Sequence, residues 1–224
     1  MCGRFTLRTP ADRVTELFPG LEIPLYGPRY NIAPTQPVCA VRQIGPVRQW
    51  TELRWGLIPF WAKDKKIGAR LINARSETVD QKPSFRAAFK KRRCLIPADG
   101  FFEWKRGASP KTPFYFTLCD ESPFCLAGLW ERWETPNELI ESCTLLTTEA
   151  NALVAGIHDR MPVILGPDDY DVWLDPGVSS ADRLRPLLTP WPADAMKSRQ
   201  VSTCVNRPLN DGPECIAAIG SSET

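Results

Sequence analysis

The chain has 224 residues, of which 43% are hydrophobic and 24% charged, and its formal net charge is +2. This composition excludes a wholly disordered chain, and no apolar run approaches the ~18 residues that a membrane-spanning helix needs. Because Arg4, Arg8 and Asp12 interrupt the amino-terminal segment, we expect no secretory signal, no membrane partner and a cytoplasmic location.

Short segments punctuated by 22 prolines predict many short strands and a few short helices. Thr9-Pro10 opens a predicted helix, and the runs Pro37–Ile44 and Val47–Trp55 predict a hairpin. The later predicted elements are a helix at 84–91, strands at 94–98, 101–104, 113–118, 124–130 and 139–147, a helix capped by Thr148, a helix from Pro167 to Leu174, and a strand at 199–205. This order predicts one compact α+β domain over residues 1–224, built on antiparallel sheet.

Charge is divided unevenly along the chain. Residues 1–111 carry 21 Lys and Arg against 9 Asp and Glu, whereas residues 112–224 carry 7 against 17. Aromatic residues such as Trp55, Phe60 and Trp61 are interleaved with the basic ones, a combination that is typical of surfaces for single-stranded nucleic acid. The same division is also expected if the two halves of one fold neutralise each other, and both interpretations stay open at this point.

Eight cysteines without C-x-x-C spacing, together with a single histidine, predict neither a disulfide framework nor a metal site, and we expect no cofactor. Most of these thiols are expected to be small buried hydrophobic groups. Cys2 is expected to be the exception, because the second residue of a chain rarely belongs to a core.

Cys2 also offers chemistry of its own. If Met1 is removed, the α-amine and the thiol of Cys2 stand on adjacent carbons, and the pair can condense with an aldehyde to an imine and then a thiazolidine ring. The reference pKa of an α-amine, about 7.7–8.0, leaves a useful neutral fraction at pH 7.

Three further polar residues stand within apolar, strand-like sequence. They are Asn73 in LINARSET, Glu103 in ADGFFEWK and His158 in IHDRMPV. The aromatic neighbours of Glu103 favour a protonated carboxyl group, as a general acid requires, and an imidazole is suited to proton transfer near neutral pH. Taken singly, each of these residues is more typical of a structural role, such as a hydrogen-bonded histidine or a glutamate on a solvated strand face.

Read in order, MCGRF, RYNIAP, WGLIPFWAKD, LINARSET, RCLIPADGFFEWK, AGLWE, LLTTEAN, IHDRMPVIL and VNRPLNDGPE resemble the SRAP family, the SOS-response-associated peptidases or abasic-site-processing proteins. The resemblance runs from residue 2 to about residue 216. It implies a compact α+β domain around a barrel-like, mainly antiparallel β-sheet with short flanking helices.

The resemblance also implies an activity and a role for each motif residue. Cys2 would capture abasic sites in single-stranded DNA as a thiazolidine cross-link, and Asn73 would hold the reacting centre. Glu103 would assist opening of the deoxyribose ring and support a lyase reaction, and His158 would shuttle protons during formation and reversal. The residues expected to contact DNA are Arg4, Arg75 and Arg160 at phosphates, Pro34 and Trp61 near the bases beside the lesion, and Thr147 in the pocket. We expect a monomer, associated with the nucleoid if the source is bacterial.

Two other functions remain open at this point. One is a cysteine-type peptidase, in which Cys2 is the nucleophile and His158 the base, with removal of Met1 as self-processing. The other is a non-covalent single-stranded DNA-binding module in which Cys2 is structural.

Overall fold

The computed structural model describes residues 2–105, 107 and 111–219. Its strands are β1 (Phe5–Leu7), β2 (Arg29–Ile32), β3 (Pro37–Ile44), β4 (Val47–Trp55), β5 (Asn73–Arg75), β6 (Arg93–Ala98), β7 (Gly100–Trp104), β8 (Pro113–Leu118), β9 (Phe124–Thr135), β10 (Glu138–Glu149), β11 (Arg160–Pro162), β12 (Ile164–Leu165) and β13 (Met196–Gln200). Its α-helices are α1 (Ala11–Thr15), α2 (Arg86–Lys91), α3 (Ala152–Ala155), α4 (Tyr170–Leu174) and α5 (Ala181–Leu184). Short 3-10 helices span Lys65–Arg70, Pro167–Asp169, Arg185–Leu187, Ala193–Ala195, Thr203–Asn206 and Pro213–Cys215.

Five strands close into a barrel. The hydrogen-bonded order is β10-β4-β3-β6-β9, and β9 pairs back onto β10 to complete the ring. Only the contact between β10 and β4 is parallel within this ring, and β5, β11 and β12 extend it at its margins. A second sheet in the order β13-β8-β7-β1-β2 is antiparallel throughout. The predicted α+β class and its barrel-like, mainly antiparallel sheet are therefore confirmed.

The amino-terminal segment is held in place by a buried carboxylate. Asp99, which is fully buried, accepts hydrogen bonds from Thr6 Oγ1 at 2.5 Å and from the amide of Arg8 at 2.6 Å. Beside it, Gly100 leaves room for the Tyr115 side chain, whose hydroxyl would lie 2.2 Å from a Cβ at this position. That hydroxyl lies 2.8 Å from Thr6 Oγ1. Strand β1 is therefore fixed against β7, and this contact determines where residues 2–4 lie.

The neighbouring strand β2 is anchored from the far end of the chain. The carboxylate of Asp211 accepts hydrogen bonds from the amides of Tyr30 at 2.6 Å and Asn31 at 2.7 Å. In return, Asn31 Nδ2 donates to the carbonyl groups of Val205 and Asn210. The RYN and NDG motifs, which are remote in sequence, are thus one structural unit.

Most of the predicted elements are confirmed, and two are wrong. Thr148 does not cap α3, because it belongs to β10; Asn151 caps this helix by accepting a hydrogen bond from the Val154 amide at 2.9 Å. The late strand is Met196–Gln200 rather than 199–205, because β13 follows its partner β8 and the side chain of Ser202 then caps a 3-10 helix. Strands β1, β2, β5, β11 and β12, at two to four residues each, were too short to show periodicity.

In the described part of the chain, no helix is long and apolar enough to cross a membrane. Met1, whose removal the Cys2 chemistry requires, lies outside the described residues.

Candidate functional site

Cys2 is fully buried, so the expectation that it stays outside the core is wrong. The pairing of β1 with β2 on one side and β7 on the other draws the preceding residues into the protein interior. Cys2 Sγ donates to the carbonyl oxygen of Arg4 over 3.8 Å. Burial raises the pKa of the Cys2 thiol, and the nearby Glu103 carboxylate raises this pKa further. Both effects favour the neutral thiol over the thiolate.

Asn73 contacts the backbone of this residue directly. Its Nδ2 donates to the carbonyl oxygen of Cys2 at 2.8 Å. Its Oδ1 is buried and has no hydrogen-bond partner among the residues that the structure describes. Strand β5 carries Asn73 because residues 73–75 pair in parallel with residues 145–147 of β10. The side chain therefore offers one occupied donor and one open acceptor next to Cys2.

Glu103, on strand β7, lies near Cys2. Its residue is 2% exposed and stands between Phe102 and Trp104 on the strand. The amide of Phe102 donates to the Arg4 carbonyl at 3.0 Å, which brings β7 alongside the amino-terminal segment. Cys2, Asn73 and Glu103 thus form one group, here named the amino-terminal cluster. These are three of the four catalytic residues expected from the sequence.

A second group, here named the edge cluster, consists of Glu77, Thr147, His158 and Arg160, where β11 meets β10. The Arg160 guanidinium forms two hydrogen bonds with the Glu77 carboxylate, at 2.6 and 2.9 Å, and its Nη2 also donates to the Thr147 carbonyl at 2.6 Å. These hydrogen bonds from Arg160 lower the pKa of Glu77 below its ordinary value. Sequence analysis gave Glu77 no role, and its separation from Arg160 along the chain offers no signal for the pair.

His158 belongs to the edge cluster through its Nδ1 atom, and its side chain is 12% exposed. The amide of Arg160 donates to Nδ1 at 3.0 Å. A neutral ring that accepts there carries its proton on Nε2. Nδ1 also lies 3.2 Å from Asp159 Oδ1 and 3.2 Å from the Arg160 carbonyl. Nδ1 thus has one donor and two acceptors within reach.

Strand β5 connects the two clusters. Asn73 and Arg75 lie two residues apart and project from the same face of the strand. Arg75 is exposed and pairs in register with the fully buried Thr147. Because Thr147 also accepts from Arg160, a single sheet margin runs from the amino-terminal cluster to the edge cluster.

The residues expected to contact DNA fall into two pockets and the sheet margin. Arg4 and Pro34 line one pocket, together with Gly3, Trp104, Lys111 and Asn206. In this pocket the Arg4 guanidinium lies 5.9 Å from the centre of the Trp104 ring, and burial lowers the Arg4 pKa. Trp61, which is 47% exposed, lines a separate pocket with Ala62, Lys63, Asp64, Lys66, Ile67 and Arg70.

The division of charge along the chain is partly neutralised within the fold. Among the residues that the structure describes, six ion pairs join a cation of residues 1–111 to an acid of residues 112–224, and in one of them Arg42 and Glu141 form two bonds of 2.8 Å. By contrast, Lys63, Lys66 and Arg70 line the pocket beside Trp61. Mutual neutralisation of the two halves is therefore confirmed for one set of basic residues, and a nucleic-acid surface stays a prediction for the other.

Comparison with known proteins identifies relatives along nearly the whole chain. The family model described as SOS response associated peptidase (SRAP) matches residues 1–208. The abasic site processing protein YoqW of Bacillus subtilis (strain 168) is 47% identical over 222 residues, covering 96% of this chain and 99% of the relative. The abasic site processing protein HMCES of Xenopus tropicalis is 37% identical over 192 residues, covering 75% of this chain and 56% of the relative.

Solved structures share the fold. A protein from Bacteroides thetaiotaomicron matches with a TM-score of 0.87 at 26% identity, covering 97% of this chain and 99% of that one. A protein from Bordetella bronchiseptica matches with a TM-score of 0.73 at 32% identity, covering 90% of this chain and 100% of that one.

Proposed function

The chain belongs to the SOS response associated peptidase (SRAP) family, and from this membership we propose that it processes abasic sites in DNA. The finer proposal is covalent capture: Cys2, freed of Met1, joins a ring-opened abasic deoxyribose in single-stranded DNA as a thiazolidine. The observation that carries it is the amino-terminal cluster, which holds a buried cysteine, an amide and a carboxyl group together at the start of the chain.

Thiazolidine formation is a condensation that releases one water and needs no oxidant or reductant. The α-amine of Cys2 attacks the aldehyde carbon, and loss of one water gives the imine. The thiol sulfur then adds to the imine carbon while its proton passes to the nitrogen, which closes the five-membered ring. Because only the amine can form the imine to which the sulfur adds, the amine is the first nucleophile and the sulfur reacts second.

Each polar partner has a distinct role in this scheme. Asn73 holds the Cys2 carbonyl through Nδ2, and its open Oδ1 can accept a hydrogen bond from the reacting amine or from a sugar hydroxyl. Glu103 is the acid-base group for opening the closed hemiacetal and for strand cleavage as a lyase. Its burial keeps bulk water away from the carboxyl group.

His158 is the proton shuttle of the proposed mechanism. Imine formation needs a group that both donates and accepts near neutral pH, and the same transfers run in reverse when the cross-link is released. The contacts at Nδ1 support this role because both a donor, the Arg160 amide, and an acceptor, the Asp159 carboxylate, lie within reach of the ring.

DNA is proposed to follow the basic and aromatic surface around the site. Arg4 and Pro34 share a pocket with Trp104, and Trp61 shares one with Lys63. Such pairings of cation and aromatic ring suit a phosphate backbone with unstacked bases. Arg75 and Arg160 at the sheet margin complete the proposed phosphate contacts, and Thr147 lies beneath them.

The same cysteine fits a peptidase less well. A cysteine nucleophile works as a thiolate, and its thiol pKa is lowered by a neighbouring cation or helix terminus. Here burial and Glu103 raise that pKa instead. Hydrolysis of unrelated peptides by the purified protein would reverse this order of preference. A non-covalent binding module predicts no DNA adduct at all.

Intact mass spectrometry tests the proposal. After incubation with abasic single-stranded DNA, wild-type protein should lack Met1 and gain one DNA mass less one water. Cys2→Ala should give only an imine that borohydride traps, and Cys2→Ser a more readily hydrolysed adduct. The matched control is Cys119→Ser, at an exposed thiol. Equal heat stability of the wild-type, Cys2→Ser and Cys2→Ala adducts would contradict thiazolidine formation.

A further inference from the structure

Outside the site, two thiols and a carboxylate converge in the segment that follows β13. The ligand atoms of Cys204, Glu214 and Cys215 lie within 4.8 Å of one another, and the two sulfur atoms are 4.0 Å apart. We propose that these three residues bind a thiophilic divalent metal ion, with zinc as the physiological candidate. Sequence analysis predicted no metal site because the cysteines are not in C-x-x-C spacing and no histidine stands near them.

The distance between the sulfur atoms distinguishes a metal site from a disulfide. Two thiolates about 2.3 Å from a tetrahedral zinc ion stand about 3.8 Å apart. A disulfide brings its sulfur atoms to about 2.05 Å. The observed 4.0 Å between Cys204 and Cys215 is close to the first value, so both can bind one ion with small side-chain adjustments. Glu214 supplies an oxygen ligand, and water would complete the tetrahedron.

The surroundings orient these ligands. Asn210 Nδ2 donates to Cys204 Sγ at 3.3 Å, and Cys215 Sγ donates to the Asn210 carbonyl at 3.4 Å. The hydrogen bond that Cys204 Sγ accepts can persist on a metal-bound thiolate and hold it in place, whereas the bond that Cys215 donates is lost with its proton. Binding of the ion as a dithiolate displaces the proton of each thiol.

The metal ion would stiffen a wall of the Arg4 pocket. It would join the 3-10 helices Thr203–Asn206 and Pro213–Cys215. Asn206 accepts a hydrogen bond from Trp104 Nε1 at 2.6 Å and lines that pocket. Asp211, between the two helices, anchors β2. The site is independent of the proposed cross-linking chemistry, so either proposal can fail alone.

Cobalt(II) titration of the full chain tests the site. Binding should be one to one, with a sulfur-to-cobalt charge-transfer band that zinc abolishes by displacement. Cys204→Ser and Glu214→Gln should each weaken binding, and Asn210→Ala should weaken it by about tenfold through the hydrogen bond to sulfur. Zinc at a hundredfold excess over its Kd should raise the Tm by about 5–11 °C. Cys119→Ser, at an exposed thiol, should leave all of these values unchanged.

Three results would overturn the proposal. The first is the absence of the charge-transfer band in wild-type protein. The second is an affinity for cobalt that is unchanged by Cys204→Ser or by Glu214→Gln. The third is formation of a Cys204–Cys215 disulfide with hydrogen peroxide, detected as the loss of two hydrogens by mass, in protein that binds neither ion.

Discussion

The amino-terminal cluster and the edge cluster are built on the same sheet margin by opposite physical means. In the first, Cys2 and Glu103 are buried, and the contacts are hydrogen bonds of Asn73 and the backbone. In the second, Arg160 is held by an ion pair with Glu77, whose side chain is 49% exposed. The first cluster is largely closed to water, whereas the second leaves the Glu77 carboxylate in contact with water.

This difference determines how each cluster responds to change. In a buried site of low dielectric, polar groups interact strongly, and removal of one has a large effect that salt does not alter. An exposed ion pair contributes little and is screened by salt. We therefore expect variants of the amino-terminal cluster to change rates, and variants at the edge to change proton transfer, salt dependence and acid stability.

The largest expected effect is that of Glu103→Gln. Loss of the acid-base group should slow cross-linking to natural abasic DNA by about 10²–10⁴-fold, with a similar loss of strand cleavage. Affinity for DNA should stay nearly unchanged, because Glu103 is buried away from solvent. Single-turnover gel assays measure the rate, and fluorescence anisotropy measures the affinity. A reduced affinity that accounts for the whole loss would contradict the assignment.

The next largest effect is expected for His158→Ala, which should lower the rates of both formation and release of the cross-link by about 10²-fold. Formation and release share the same proton transfers, so the ratio of the two rates should change little. A substrate with a pre-opened aldehyde separates this residue from Glu103, since it should rescue Glu103→Gln but not His158→Ala. Equal rescue of both variants, or of neither, would refute the division of roles.

A smaller effect is expected at Arg75. Its removal should lower the slope of log affinity against log salt by about 0.7 for single-stranded DNA, because one phosphate contact is lost. Arg183 provides the matched control, since it is also exposed but lies in the acidic half. The measurement is anisotropy over a salt series. Equal slopes for Arg75→Ala and Arg183→Ala would argue against phosphate binding at the sheet margin.

The smallest effect concerns acid stability. The hydrogen bonds from Arg160 hold the pKa of Glu77 below its ordinary value of 4.5, so the stability they contribute is present above that pH and is lost as pH falls below it. For an exposed pair this is under about 1 kcal/mol, or under about 4 °C in Tm. The Tm difference between wild type and Glu77→Gln should thus shrink from pH 7 to pH 3. Glu149→Gln, at an exposed carboxylate on β10, serves as the control, and a difference that grows toward acid would contradict this sign.

Elements that are bounded by a proline or a glycine-proline turn could be predicted from the sequence alone. The hairpin Pro37–Ile44 and Val47–Trp55 has the predicted bounds, because Gly45-Pro46 marks its turn and both runs are long enough to alternate. Helix α4 follows Pro167 as predicted. Strands such as β5 and β11 carry no such signal, since three residues form a strand only when β10 lies beside them.

The α+β class, the family resemblance and the candidates Cys2, Asn73, Glu103 and His158 could be predicted before the fold was known, because each depends on residue type and order. The burial of Cys2 and the increase in its pKa caused by Glu103 could not, since burial and proximity arise from strands remote in sequence. The Glu77–Arg160 ion pair and the Cys204, Glu214 and Cys215 group have the same origin. Their side chains meet only after the chain has folded, so no local spacing could predict them.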